Sequence, residues 1–263
     1  RVRGCDPIEV PLTLGTRGFE IDYDRIERAI QPNTRMLVLA SPGNPTGWTA
    51  SMDDWRRLLE ICQRHDLWLV ADGVYERLML DPEHAVAPSP WSLPEARRRT
   101  IIAQSFSKAY RMTGWRLGYL IAAPEMARTL TFLQEFVVSH AFGVAQAAAE
   151  VAIRHGEPFI AESRARYARH AQIALEALTH LTDVSVPRPT GGLYVFPRLE
   201  GLTDSLEFCR RLVIEHRLGV APGSAFGAGG EGHLRFCFAV DERTLREALD
   251  RFAQAWAAFR HHG

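Results

Sequence analysis

Three short apolar runs, each stopping at a polar residue and each separated from the next by intervening helical or loop sequence, constrain this chain most. Met36-Leu37-Val38-Leu39-Ala40 leads into Ser41. Leu67-Trp68-Leu69-Val70-Ala71 stops at Asp72, and Thr100 to Gln104 stops before Ser105. Continuous rather than alternating apolar runs are expected of strands covered on both faces, which is the pattern of a parallel sheet. Between the first two lies segment 51–65, with Trp55, Leu58, Leu59 and Cys62 at helical spacing and Ser51 and Asp54 suited to a capping box. A fourth run, residues 117–122, is preceded after the turn near Lys108 by only Gly114 to Arg116, so it is expected to run antiparallel to its neighbour. The reading is an α/β fold with a mostly parallel sheet.

Residues 125–181 read as helical, with breaks near His140–Gly143 and Gly156–Pro158. A smaller α+β unit follows, with strands expected at 183–187, 192–197 and 233–239 and helices at about 203–217 and 241–260. Two domains are expected, 1–155 and 156–263. An apolar fraction of 46% suffices for a substantial core. Lys plus Arg and Asp plus Glu both total 31, so the charge balance offers no footprint for nucleic acid or an anionic membrane surface. No apolar run is long enough to span a bilayer. Cys5, Cys62, Cys209 and Cys237 form no CxxC pair and read as reduced, mostly buried thiols of a cytoplasmic protein. His261 and His262 read as a frayed tail, and no metal site is expected.

Ligands of open parallel sheets bind beyond the carboxyl ends of the strands. The three runs deliver Asn44, then Asp72 and Tyr75, then Ser105, Ser107 and Lys108 to such ends. Each could be bland alone: a turn amide, a loop-capping carboxylate, a solvated lysine. Together they match the needs of a pyridine ring acting as an electron sink, which wants a carboxylate beside its ring nitrogen. Asp72 can supply it. Asn44 and Tyr75 offer an amide and a hydroxyl to a phenolate oxygen, and Ser105, Ser107 and Arg116 offer hydroxyls and a guanidinium to a phosphate. Lys108 supplies an amine able to form an imine.

Ser-Pro-Gly-Asn-Pro-Thr-Gly (41–47), Ala-Asp-Gly-Val-Tyr (71–75), Ser-Phe-Ser-Lys-Ala-Tyr-Arg-Met-Thr-Gly-Trp-Arg-Leu-Gly-Tyr (105–119) and Leu-Arg-Phe-Cys-Phe-Ala (234–239) resemble, in order, the class I/II aminotransferases of fold type I. The resemblance spans residues 36–239. It implies pyridoxal 5'-phosphate as cofactor, an amino acid and a 2-oxo acid as substrates, and a homodimer. It implies that Lys108 is the Schiff-base lysine and proton carrier and that Asp72 is the partner of the pyridinium. Asn44 and Tyr75 correspond to the phenolate ligands, and Ser105, Ser107 and Arg116 to phosphate ligands. Arg235 corresponds to the arginine that takes the substrate carboxylate, with Asn44 beside it. Tyr194 reads equally well as a pocket or a core aromatic, and the Pro and Gly of Ala221–Phe226 as turn residues.

Family members carry a longer N-terminal region, so the large domain is expected to be truncated here, with an exposed sheet edge and weakened cofactor binding. Arg1 to Gly15 reads as a strand and loop. A β-lyase or related enzyme on the same scaffold, and an aminotransferase-like effector domain of a transcription regulator, remain alternatives.

Overall fold

The protein, seen in a computed structural model, is described over residues 4–16 and 18–262, without the side chains of His261 and His262. Arg1 to Arg3, the start of the expected first strand, lie outside the described residues. The rest of that segment is extended into β1 (Thr13–Gly15), which pairs antiparallel with β2 (Gly18–Glu20). A short helix that periodicity did not reveal, α1 (Tyr23–Ala29), follows, capped by the Asp22 side chain.

The central sheet has the order β3 (Met36–Ala40), β4 (Trp68–Asp72), β5 (Thr100–Ser105), β6 (Gly118–Ile121). The first three strands are parallel and β6 is antiparallel to β5, as its short connection requires. Between β3 and β4 runs α2 (Met52–Arg64), opened by the expected capping box: Ser51 Oγ accepts from Asp54 N–H and the Asp54 carboxylate accepts from Ser51 N–H at 2.7 Å. Its Trp55, Leu58, Leu59 and Cys62 bury against Leu69, Ala71 and Ile102 of the sheet.

Side chains alternate across a strand. The other face of the sheet therefore carries Val38, Val70, Asp72, Ile101, Ala103 and, through the β5–β6 pairing, Leu120. Val38 is 61% and Leu120 53% exposed, so this apolar face is only partly covered.

Helices α3 (Pro124–Val138), α4 (Gly143–His155) and α5 (Glu157–Thr179) follow, with breaks close to where they were expected. The smaller unit adds β7 (Val184–Ser185), β8 (Tyr194–Val195), β9 (Arg198–Leu199), α6 (Ser205–His216), β10 (Ala221–Pro222), β11 (Leu234–Cys237) and α7 (Glu242–His262). Its strands are shorter than expected. β8 and β11 share only the pairs Val195–Phe236 and Tyr194–Cys237, and the flanking residues bond to loops instead, as where Leu234 N–H reaches Pro197 O. Where a frayed tail is expected, the backbone of His261 and His262 is helical, since α7 continues to His262. Trp256, Phe252, Leu212 and Leu234 are buried in a core shared by α5, α6, α7 and β11.

One expectation about the cysteines, that they are mostly buried, needs correction. Cys62 and Cys209 are buried, but Cys5 and Cys237 are exposed. Cys237 is exposed because it points away from the core that takes its neighbours Phe236 and Phe238. Among the described residues no helix is long and apolar enough to cross a membrane.

Candidate active site

The site is assembled at the carboxyl edge of three adjacent strands. Ala40, Asp72 and Ala103 are in register across β3, β4 and β5. Ser41 N–H bonds to Asp72 O at 3.0 Å, and Gly73 N–H to Ala103 O at 2.9 Å, so β3 and β4 end at one level while β5 runs two residues further, to Ser105. Asp72 projects from the face opposite α2, on the same side as Ala103 and Ser105. Its Oδ1 accepts from Val74 N–H at 3.0 Å, which fixes the carboxylate at the turn.

Lys108 stands in a turn whose two ends are anchored. Phe106 and Met112 are buried with Leu117, Ala145 and Ala149. Met112 N–H bonds to Phe106 O, and Phe106 N–H to Leu117 O, each at 3.2 Å. The lysine itself is half-buried. Ser105 Oγ accepts from Ser107 N–H at 3.1 Å, and Ser107 O accepts from Thr113 Oγ at 2.9 Å. Arg116 lies two residues before Gly118, the strand partner of Ser105. It is exposed in the left-handed region (φ 52°), and its guanidinium donates to Thr113 O at 2.9 Å.

The opposite wall comes from the smaller unit, docked through the turn that carries Asn44. Gly47, at φ +65°, accepts at its carbonyl from the N–H groups of Thr190 (2.8 Å) and Gly191 (3.0 Å). A Cβ at Gly47 would lie 2.4 Å from Pro189 Cβ, so glycine is required both for the backbone and for the approach. Gly192 N–H bonds to Leu78 O at 2.9 Å, just beyond Tyr75. Segment 189–194 thus wedges between the Asn44 turn and the Tyr75 loop.

Docking brings Arg235 Nη1 to Asn44 Oδ1 at 2.8 Å. The guanidinium lies over the rings of Tyr194 (4.3 Å) and Phe226 (4.8 Å), and its Nε is buried without a partner. Tyr75 Oη and Tyr194 Oη meet at 3.3 Å. Burial above all, and then the Tyr194 hydroxyl, push the Tyr75 phenol well above its ordinary range, so it stays a neutral O–H donor.

Asn44, Asp72, Tyr75 and Arg235 are therefore grouped at one edge, with Ser105, Ser107 and Lys108 on the adjoining turn and Arg116 on its returning limb. The sequence leaves three wall residues undecided or unmarked. Tyr194 reads equally well as a pocket or a core aromatic, Phe226 has no assigned role in a loop of which only the Pro and Gly read as turn residues, and Cys237, on the same face of β11 as Arg235 and paired with Tyr194, reads as an ordinary thiol. One compositional signal was also available. Lys108 is the only lysine among 263 residues, since the other 30 of the 31 basic residues are arginines. Arginine stays protonated at any accessible pH and cannot serve as an amine nucleophile.

A family model for aminotransferase class I and II matches residues 1–252. An aromatic-amino-acid aminotransferase of Thermococcus litoralis is 34% identical over 94% of this chain and 64% of its own length. An aspartate aminotransferase of Pyrococcus horikoshii is 32% identical over 97% of this chain and 65% of its own. Among solved structures, N-succinyldiaminopimelate aminotransferase from Mycobacterium tuberculosis superposes with a TM-score of 0.89 at 27% identity, covering 97% of this chain and 67% of that one. The aspartate aminotransferase from Rhizobium meliloti gives 0.84 at 32%, covering 92% and 63%. The chain spans 64–65% of the length of these two curated relatives. With the strand-edge site, the ordered motifs and these likenesses in agreement, the chain belongs to the class I and II aminotransferases.

Proposed function

We propose that the protein containing this chain moves an amino group between an L-amino acid and a 2-oxo acid, with pyridoxal 5'-phosphate held at the carboxyl edge of β3, β4 and β5. The observation that carries this reading is the convergence of the sole lysine's turn, the Asp72 carboxylate and the Asn44–Arg235 pair on that edge. The donor set fits the cofactor. There is one carboxylate for a ring nitrogen, an amide and a neutral phenol for a phenolate oxygen, and two hydroxyls and a guanidinium for a phosphate. When bound, pyridoxal phosphate supplies an aldehyde that captures amines and a protonated ring that draws electrons from the substrate Cα.

Asp72 would keep the ring nitrogen protonated through a charge-assisted hydrogen bond. Asn44 Nδ2 and Tyr75 Oη would donate to the phenolate oxygen, and Ser105, Ser107 and Arg116 would hold the phosphate. Lys108 Nζ is the amine that would hold the aldehyde end of the cofactor and, once freed by the amino donor, would carry the proton taken from the substrate Cα. Arg235, backed by Tyr194 and Phe226, turns its free N–H groups to the substrate carboxylate, and Asn44 fixes the plane of the guanidinium. We also assign residues 1–155 to cofactor binding and 156–263 to carboxylate recognition. The family likeness points to a homodimer, and the four free cysteines are consistent with a reducing cytoplasm.

The test is borohydride reduction of the protein with pyridoxal phosphate, followed by peptide mapping. With one lysine in the chain, the label is expected on Lys108 and absent from Lys108→Ala. Label confined to an α-amino group overturns the assignment. Adding an amino donor without an oxo acid separates the chemistries. A transaminase stops after one turnover, whereas continued release of ammonia and a 2-oxo acid points to a β-lyase.

A further inference from the structure

Three residues downstream of Lys108, Arg111 is exposed and occupies the left-handed region at φ 53°, a conformation that few non-glycine residues adopt. Its side chain is held by the first three turns of α5. The Arg111 guanidinium lies 5.3 Å from the Phe159 ring centroid and donates from Nη2 to Tyr167 Oη at 3.2 Å and from Nε at 3.4 Å. Tyr167 is buried, so its hydroxyl is a fixed acceptor. The Arg111 backbone N–H in turn bonds to Lys108 O at 3.4 Å, which ties the pinned residue directly to the lysine's peptide group.

The same helix holds the other half of the site. One turn beyond Tyr167, His170 is buried with its Nδ1 3.0 Å from Phe238 O, at the end of the strand that carries Arg235. Residues three apart lie on one face of a helix, separated by roughly 4.5 Å of rise. A single rigid element therefore sets the spacing between the turn that carries the amine and the strand that carries the carboxylate-binding guanidinium.

We propose that Arg111 is a positioning residue: it pins the Lys108 turn to Tyr167 on α5, and α5, through His170, fixes that turn relative to Arg235. The pin acts on where the lysine sits and leaves the chemistry to Lys108 itself. The proposal rests on the assignment of Lys108 above.

Two variants separate pinning from simple loop stability. Arg111→Gly relieves the positive φ and removes the guanidinium, so if the guanidinium held nothing in place this variant would be at least as stable as the parent. Tyr167→Phe keeps the ring and the backbone and removes only the hydroxyl. Hydrogen exchange in the full-length, cofactor-free protein is expected to speed up at the amides between Phe106 and Met112. The factor is roughly tenfold in Arg111→Gly, the scale of one ring contact and one hydroxyl bond lost, and smaller in Tyr167→Phe. Half-maximal borohydride trapping on Lys108 is expected to need more pyridoxal phosphate in both. Unchanged or slower exchange at these amides in Arg111→Gly overturns the pin. Trapping absent from Lys108 in the parent protein defeats the functional reading instead, and the exchange measurement still decides the pin.

Discussion

Arg235 donates a hydrogen bond to the side-chain oxygen of Asn44 at 2.8 Å, across 191 residues of intervening chain. The bond fastens the two units at the point where substrate is expected to lie. It leaves the guanidinium with free N–H groups, one of them, Nε, buried without a partner. A buried donor left unpaired costs free energy, and an arriving carboxylate removes that cost.

Replacing Arg235 by lysine keeps the charge and loses the planar fork. A hydrogen bond to a charged group is worth about 1.5–3 kcal/mol, so kcat/KM for the amino donor is expected to fall about 10- to 150-fold. The loss should appear mostly in KM, with cofactor trapping on Lys108 unchanged. Steady-state kinetics on full-length Arg235→Lys would contradict the carboxylate role if KM stayed at the parent value.

Asp72→Asn retains an oxygen able to accept from Val74 N–H. The turn should therefore survive, with thermal stability close to that of the parent. The charge that keeps a ring nitrogen protonated is gone. Turnover is expected to drop about 10²–10³-fold, the range seen when one preorganised electrostatic contact is removed. A variant as active as the parent would show that Asp72 does not face the ring.

His233 is buried, stacked on Phe196 with centroids 4.8 Å apart, and burial foremost lowers its pKa. In the unfolded chain it takes up a proton below about pH 6.5, whereas in the folded state it resists doing so. The unfolded state thus binds more protons on acidification, so its contribution to stability is present above that pH and is lost as pH falls through it. Melting temperature is expected to decline between pH 7.5 and 5.5, and His233→Phe should flatten that decline. Identical pH profiles for the two proteins would exclude His233 as the cause.

Trp256 is buried, donates from Nε1 to Thr182 O at 2.9 Å, and packs edge-on to Phe208. Truncation to alanine leaves a large cavity and an unpaired carbonyl, at a cost of about 3–5 kcal/mol. Urea unfolding of Trp256→Ala should show a lower midpoint. A shift below 1 kcal/mol would mean that α7 repacks around the gap.

The 263-residue chain on its own exposes Val38 and Leu120 on one sheet face. Apolar patches of this kind drive association. Light scattering is expected to show self-association that Val38→Lys with Leu120→Lys reduces, with circular dichroism unchanged. Equal scattering by both proteins would place the sticky surface elsewhere.

The sequence by itself determined the features that depend on neighbours a few residues apart. These are the three strand ends that present Asn44, Asp72 and Lys108, the Ser51–Asp54 cap, the antiparallel turn of β6 and the breaks between α3, α4 and α5. Period and punctuation are local signals, and these elements are local. Tertiary structure alone decided the meeting of Tyr75 with Tyr194, the rings of Tyr194 and Phe226 over Arg235, the exposure of Cys237 and the pinning of Arg111 by α5. Those contacts depend on segment 189–194 docking against the Gly47 turn and on α5 packing where Tyr167 meets Arg111. Periodicity carries no information about which distant surfaces will fit together, because that choice is made by shape and hydrogen-bond complementarity once the elements exist.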